Sequence, residues 1–187
     1  MPHRDITVNW QPISLLFKNQ PPEGSDYYGP VMKTHKMLRV LEAVRADAPT
    51  PEAGNHNVFK LYWELGARIH HDRDYAFDVA DALTAVGLDA AHGAAADDES
   101  WDEVIRSKMD AGLALVGNDV GTPIIATENS SGDQVGYFGP VITKIPPTEQ
   151  SLKMWDALMT MMDIDGFFEL KKTRTEGPDF GPRPDPV

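Results

Sequence analysis

The chain has 187 residues, with 17 lysines and arginines against 29 aspartates and glutamates, so its net charge is −12. A surface this acidic, without a segregated basic patch or an apolar run of roughly 20 residues, argues against nucleic-acid binding and against a membrane span. The chain contains no cysteine, which excludes a disulfide, a thiol nucleophile and a zinc–thiolate site within it.

The first predicted element is a strand. Residues 5–10, DITVNW, alternate polar and apolar side chains, and this period of two predicts a β-strand with one buried face. Pro12 ends the strand or forms a bulge in it, and residues 13–17 form an apolar exit. Residues 18–29 are rich in proline, glycine and asparagine, which predicts a loop.

Four helices are predicted next, each from apolar residues that recur on one helical face. Their stripes are Met37, Leu38, Leu41 and Val44; Val58, Leu61, Tyr62, Leu65 and Ile69; Val79, Ala82, Leu83 and Val86; and Trp101, Val104, Ile105 and Met109. The first begins near Pro30, and the third and fourth end at Gly87 and Gly117. Ser100–Glu103 matches a capping box that begins the fourth helix.

The pattern then returns to β-structure. Pro123–Thr127 predicts a short strand, Asn129–Gly132 a turn, and Val135–Phe138 the hairpin partner. A final helix follows Pro147, and its stripe consists of Leu152, Trp155, Leu158 and Met162. This order predicts an α/β domain whose helices are inserted between an early strand and a late strand pair.

The first feature that could carry chemistry is the step Gly121-Thr122-Pro123. A proline that opens a strand cannot donate a ladder hydrogen bond, so this position needs an edge, a bulge or a special geometry. Pro123 is either an ordinary trans residue or part of a cis bond, and a cis bond would leave the backbone of Thr122 free to pair with a ligand. The tripeptide alone favours the trans form.

The histidines are weaker candidates. His70 and His71 diverge on a helix and lack a third ligand at helical spacing, so they favour a cationic helix end over a metal site. His35 precedes Leu38 by one helical turn, which favours a partly buried core histidine over a catalytic base. No metal is predicted, and no phosphate loop, HExxH or GxSxG motif is present. The residues by themselves therefore name no catalytic group.

Six motifs in order carry a resemblance to a known family. They are PISLLFKN at 12–19, YGPV at 28–31, RIH at 68–70, VGTP at 120–123, YFGPV at 137–141 and FFELK at 167–171. Together they resemble the DsbA-like thioredoxin-fold proteins of the mycothiol-dependent nitroreductase group. Kappa-class glutathione transferases and 2-hydroxychromene-2-carboxylate isomerases belong to the wider group.

The resemblance implies an α/β thioredoxin-like fold with a helical insertion. The incomplete domain would span 1–176 with the insertion at about 30–117, and 177–187 would be a flexible tail rich in proline and glycine. It also implies that Pro123 is a cis-proline and that mycothiol, or a similar low-molecular-weight thiol, binds beside it. The residues implied at the thiol site are Gly121, Thr122, Pro123, Ile124, Asn19, Tyr28 and His70.

The sequence departs from the family pattern at its beginning. The resemblance implies a first strand, a Cys-Pro-Trp-Cys-like motif and a first helix before residue 5, and none of these is present. We expect Met1 to be an internal methionine of a longer protein. Without the central first strand, its neighbours would expose unpaired edges, which predicts instability or self-association through them.

Three functions follow from these observations. The favoured one is a thiol-disulfide oxidoreductase or mycothiol-dependent reductase of the cytoplasm, represented here without its redox cysteines and therefore inactive alone. The second is a kappa-type transferase or isomerase, and the third is a catalytically inactive binding scaffold. The expected partner is a low-molecular-weight thiol or disulfide substrate, with neither nucleic acid nor membrane.

Overall fold

The structure is a computed structural model that describes residues 3–185 and 187. It is mixed α/β and mostly helical. Its helices and strands are α1 Leu15–Asn19, α2 Tyr28–Ala46, α3 Pro51–Ala67, α4 Val79–Ala85, α5 Asp102–Val116, β1 Ile124–Glu128, β2 Gln134–Phe138 and α6 Thr148–Met162. A π-helical turn, Arg68–Asp72, follows α3, and two 3-10 helices, Ala90–Asp97 and Glu99–Trp101, precede α5. Among the described residues, no helix is long and apolar enough to cross a membrane.

The chain divides into two compact units. The helical unit comprises Val8–Met109 with Pro182–Val187, and the hairpin unit comprises Met1–Thr7 with Asp110–Gly181. Helices α1 to α4 lie in the helical unit, whereas both strands and α6 lie in the hairpin unit. The boundary between the units falls within α5.

The core of the helical unit is formed by the apolar faces of α2, α3 and α4 and by the turn after α4. Its buried residues are Met37, Val40, Leu41, Val44, Val58, Leu61, Leu65, Ala82, Leu83 and Val86. The predicted stripes are therefore mostly buried, although Tyr62 is 54% exposed. Burial of this apolar area, at about 25 cal/mol per Å², is the main force that holds these helices together.

The strand predicted at residues 5–10 is wrong. Its side chains alternate between half-buried and exposed as expected, but its backbone pairs with no other strand among the residues that the structure describes. The Asn55 side chain takes the place of a neighbouring strand, because its Oδ1 accepts from the Trp10 amide at 2.9 Å and its Nδ2 donates to the Val8 carbonyl at 2.6 Å. The Arg45 guanidinium donates to the Trp10 carbonyl. Side chains thus bind the backbone of Val8 and Trp10, in a segment whose period of two is the same as that of a strand.

Two helix starts also differ from the predictions. Leu15–Asn19, expected as an apolar exit and loop, forms α1, and Ser14 caps it by accepting from the Phe17 amide at 3.2 Å. The capping box at Ser100–Glu103 is wrong, because Asp98 accepts from the Ser100 amide at 2.9 Å and begins a 3-10 turn instead. Helix α5 then starts at Asp102.

The predicted hairpin is confirmed. Strands β1 and β2 pair antiparallel, with a register from Ile124 opposite Phe138 to Glu128 opposite Gln134. In the turn, the Asn129 carboxamide oxygen accepts from the Ser131 and Asp133 amides at 3.0 and 2.8 Å. Gly132 takes a φ of +83°, which glycine adopts without strain. The turn was predictable because its hydrogen bonds are local.

The segment predicted as a flexible tail makes contacts within the helical unit. The Arg183 guanidinium lies 2.9 Å from an Asp72 carboxylate oxygen and 3.5 Å from a Glu64 carboxylate oxygen. The Trp63 indole N–H donates to the Asp185 carbonyl at 3.3 Å. These contacts attach residues 183–185 to α3 and to the π-helical turn that follows it.

Candidate functional site

Four of the predicted thiol-site residues lie together at the start of β1, in the hairpin unit. The Thr122–Pro123 peptide bond is cis, the geometry that the resemblance implies, and the Gly139–Pro140 bond is cis as well. The Gly139 amide donates to the Pro123 carbonyl at 2.8 Å and so continues the hairpin beyond β1. A Cβ added to Gly121 would lie 3.6 Å from the Phe138 ring, so this side of the step packs closely against β2.

The backbone of Thr122 is free at this step. Thr122 and Pro123 are both exposed, and Thr122 makes none of the hydrogen bonds found in the described part of the chain. An exposed N–H and C=O beside a strand end can pair with the polar groups of a ligand as one strand pairs with another. This arrangement can bind a ligand that carries amide groups.

Asn19 lies in the helical unit at the last position of α1. Its Nδ2 donates to the Tyr27 hydroxyl oxygen at 3.1 Å. The predicted site residue Tyr28 is the first residue of α2 and is half-buried, whereas Tyr27 is 45% exposed. Sequence reasoning did not select Tyr27, since the two tyrosines are adjacent and only the fold decides which of them meets Asn19.

His70 lies in the π-helical turn after α3. Desolvation, followed by the charge of the neighbouring His71, lowers the pKa of His70 below 6.5. The adjacent Asp72 carboxylate is bound by the Arg183 guanidinium. Within the described residues, no group of three histidine, aspartate or glutamate side chains could hold a metal ion.

A buried polar cluster that sequence reasoning did not predict lies between α1, α2 and α5. The Ser14 hydroxyl oxygen is 2.9 Å from His35 Nδ1, and His35 Nε2 is 3.0 Å from an Asp102 carboxylate oxygen. Arg39 binds both Asp102 oxygens, at 2.6 and 2.8 Å. The His35 side chain has no exposed surface, so it is more deeply buried than the partly buried core histidine that its spacing predicts. No local signal connects partners that are 67 residues apart.

The charge of Asp102 determines where the protons of this cluster lie. Burial by itself raises the pKa of Asp102, but the hydrogen bonds and charge of Arg39, together with the hydrogen bond from His35, lower it. Desolvation lowers the pKa of His35, and Asp102 only partly offsets it. A neutral His35 must then carry its proton on Nε2, donate it to Asp102, and accept the Ser14 hydroxyl proton on Nδ1.

This Ser–His–Asp chain is not a nucleophilic triad. Ser14 has no exposed surface, and its oxygen already accepts from the Phe17 amide as a helix cap. A substrate therefore has no access to the hydroxyl. The cluster stabilises the fold, because each of its buried polar groups has a hydrogen-bond partner.

The predicted site residues thus fall in two groups. Gly121, Thr122, Pro123 and Ile124 form a continuous segment of the hairpin unit, and Asn19, Tyr28 and His70 belong to the helical unit. Within the helical unit, the structure places Asn19 beside Tyr27 and places His70 in the π-helical turn. The sequence supplies no cysteine thiol to either group.

These features define a mixed α/β protein with an exposed backbone step beside a cis-proline and no thiol of its own. The family described as Rv2466c-like, mycothiol-dependent nitroreductase Rv2466c, matches residues 2–172 of the chain. The chain therefore belongs to this family. The match confirms the mycothiol-dependent nitroreductase group named from the resemblance, and with it a reductase that depends on a thiol cofactor.

Proposed function

We propose that this chain is the thiol-binding part of a mycothiol-dependent reductase with a DsbA-like, thioredoxin-like fold. The observation that carries the proposal is the family match over residues 2–172 together with the free Thr122 backbone. Mycothiol would lie against Gly121–Ile124, where the Thr122 N–H and C=O can pair with its amide groups. Asn19, Tyr28 and His70, which belong to the helical unit, stay predicted thiol-site residues. A location in the cytoplasm stays a prediction.

The nucleophile of the reaction is proposed to come from outside these 187 residues. The chain has no cysteine, and the chemistry of a mycothiol-dependent reductase needs a reactive thiolate. When bound, mycothiol supplies the reducing thiol, while Thr122 and its neighbours orient it. The purified chain should accordingly bind mycothiol and yet give no nitroreductase turnover above the uncatalysed rate.

The proposed source of the thiolate is a polypeptide segment that adds to the hairpin. In the described part of the chain the sheet has two strands, so each strand leaves one edge unpaired. A lone two-stranded hairpin is only marginally stable in water, and a third strand would both stabilise it and bring a cysteine towards Pro123. A synthetic peptide with a strand sequence followed by Cys-Pro-Trp-Cys tests this by restoring turnover in trans.

Mycothiol binding tests the location of the site. In an NMR titration of the full chain with mycothiol, the Gly121, Thr122 and Ile124 amides should shift, and the Gly132 amide in the hairpin turn should not. Ile124→Ala removes side-chain contact beside the step, at a cost of about 1 kcal/mol or roughly fivefold in Kd.

Ile145→Ala is the matched control, because Ile145 belongs to the same unit and is 75% exposed. It should leave the Kd unchanged. Shifts confined to residues remote from β1, or equal losses of affinity in both variants, would contradict the proposed site. Turnover by the chain alone would contradict the external nucleophile.

A further inference from the structure

Helix α1 is too short to hold its own position. It has five residues and none of them is fully buried, whereas isolated helices need about 12–15 residues to be even marginally stable in water. Its placement therefore depends on contacts from other elements. Asn19, one of the predicted thiol-site residues, is the last residue of this helix.

The contacts that hold α1 converge on His35 of α2. Ser14, the N-cap of α1, lies 2.9 Å from His35 Nδ1. The Phe17 ring lies 4.5 Å from the His35 ring, and the Arg106 guanidinium carbon lies 3.9 Å from the Phe17 ring centroid. The cap and the aromatic side chain of α1 therefore both contact one imidazole ring.

Of the protonation states of His35, only the neutral one that carries its proton on Nε2 leaves an acceptor for the Ser14 hydroxyl proton. The Ser14 oxygen accepts from the Phe17 amide while its hydroxyl donates to the unprotonated Nδ1. A protonated ring would present an N–H to the same serine, and the serine hydroxyl would lose its acceptor. Protonation of His35 would thus weaken the cap of α1 directly.

We propose that His35 is a positioning residue, whose neutral ring holds α1 in place and thereby sets Asn19 against Tyr27. Asp102 fixes the ring from its other side, and Arg39 fixes Asp102. Acidification that protonates His35 releases α1 and displaces Asn19. The consequence for thiol binding rests on the proposed function, whereas the control of α1 does not.

The charges that face His35 come from two helices. Asp102 and Arg106 belong to α5, and Arg39 belongs to α2. Asp97 and Glu99 act on Arg39 from the 3-10 segments before α5. On α1, the polar atom that faces the ring is the Ser14 hydroxyl oxygen, and the aromatic contact is Phe17.

Two amide substitutions separate the halves of the cluster. The carboxamide of His35→Asn reaches the position of Nδ1 and can still accept the Ser14 hydroxyl proton. The longer His35→Gln reaches the position of Nε2, where it can donate to Asp102 but leaves Ser14 without its acceptor. His56→Gln is the control, because His56 is an exposed residue of α3.

Amide hydrogen exchange of the full chain, followed by NMR, is the measurement. The Lys18 and Gln20 amides report on α1, because they donate to the Ser14 and Leu16 carbonyls. In His35→Gln these amides should exchange about tenfold faster relative to the slowest amides of the helical unit, and the Asn19 side-chain signals should shift. In His35→Asn the change should be much smaller, and in His56→Gln it should be absent.

Equal acceleration of these amides in both His35 variants would overturn the proposal, since that is the result of a general loss of packing. In the wild-type chain, the Asn19 side-chain signals should also move with the titration of the His35 ring nitrogens. Asn19 signals that stay unchanged through that titration would overturn it as well.

Mycothiol binding separates this inference from the proposed function. If the wild-type chain binds mycothiol, His35→Gln should weaken binding at least threefold, and His35→Asn should weaken it less. Equal affinity in all three proteins would overturn the link from His35 to the site. If the wild-type chain binds no mycothiol but the exchange pattern holds, the proposed function fails and the role of His35 in placing α1 stands.

Discussion

At the scale of single residues, Asp102 is the acceptor that joins His35 and Arg39 in the buried polar cluster. It accepts from His35 and from both nitrogens of the Arg39 fork, and the Arg39 side chain is only 6% exposed. Asp102→Asn would leave the Arg39 charge buried without its counter-ion. We expect a loss of about 3 kcal/mol in the free energy of unfolding, measured by urea denaturation followed by tryptophan fluorescence.

Asp97→Asn is the matched control for this substitution. Asp97 also pairs with a cation, Lys36, but the two side chains are 80% and 42% exposed. Water screens such pairs, so the unfolding midpoint should hardly move. A similar loss of unfolding free energy in both variants would show that the Asp102–Arg39 pair contributes no more to stability than an exposed pair.

His35 should make the helical unit sensitive to acid. Its pKa is lowered in the fold by desolvation, whereas the unfolded chain titrates near 6.5. The unfolded state therefore binds the proton first, so this contribution to stability is complete above about pH 6.5 and is lost as the pH falls towards the folded pKa. His70, whose pKa is also lowered, acts in the same direction.

Unfolding free energies measured between pH 7.5 and about 5 test whether acid lowers the stability. The wild-type curve should fall with acidification over that range, and the curve of His35→Gln should be flatter. The variant His70→Gln separates the second histidine. A His35→Gln curve as steep as that of the wild type would contradict the assignment.

At the level of elements, the hairpin depends on a glycine where β2 meets the end of α5. A Cβ added to Gly136 would come within 2.7 Å of the Leu115 Cβ, a separation that real contacts do not show. Gly136→Ala should therefore force the strand and the helix end apart and destabilise the hairpin unit by about 2 kcal/mol. Thermal unfolding and exchange of the β1 amides measure this loss.

Gly112→Ala provides the comparison within α5. A Cβ at Gly112 would meet nothing within 4 Å, and alanine favours a helix over glycine by about 1 kcal/mol. This variant should be as stable as the wild type or more stable. If Gly112→Ala destabilised the protein as much as Gly136→Ala, the close approach of Leu115 to Gly136 would not explain the loss.

At the scale of the whole molecule, the hairpin unit exposes large apolar side chains. Phe168, Leu170 and Ile145 are 87%, 80% and 75% exposed. Isolated apolar residues on a surface are ordinary, but together with unpaired strand edges they predict self-association. Sedimentation velocity of the wild-type chain should show a weight-average mass that rises with concentration.

The double substitution Phe168→Ser with Leu170→Ser should reduce that rise. Tyr75→Ser is the control, because Tyr75 is 66% exposed but belongs to the helical unit. Association that persists unchanged in the double variant, or that Tyr75→Ser abolishes, would place the contact elsewhere.

Sequence patterns determined the parts of this protein whose hydrogen bonds and packing are local. The helical stripes, the hairpin turn at Asn129–Gly132 and the alternation along residues 5–10 are all present in the structure. Each depends on residues a few positions apart, because helical and strand periodicity are properties of the backbone itself. The same motifs, in their order, also pointed to the family.

The tertiary structure alone decided which distant groups meet. Asn55 rather than a strand satisfies the backbone at Val8 and Trp10, and Asp98 rather than Ser100 begins the turn before α5. The Ser14–His35–Asp102 chain joins residues that are 21 and 67 positions apart. Such pairings depend on how whole helices pack against each other, and many residues contribute to that packing. The spacing of residues within one segment therefore cannot predict them.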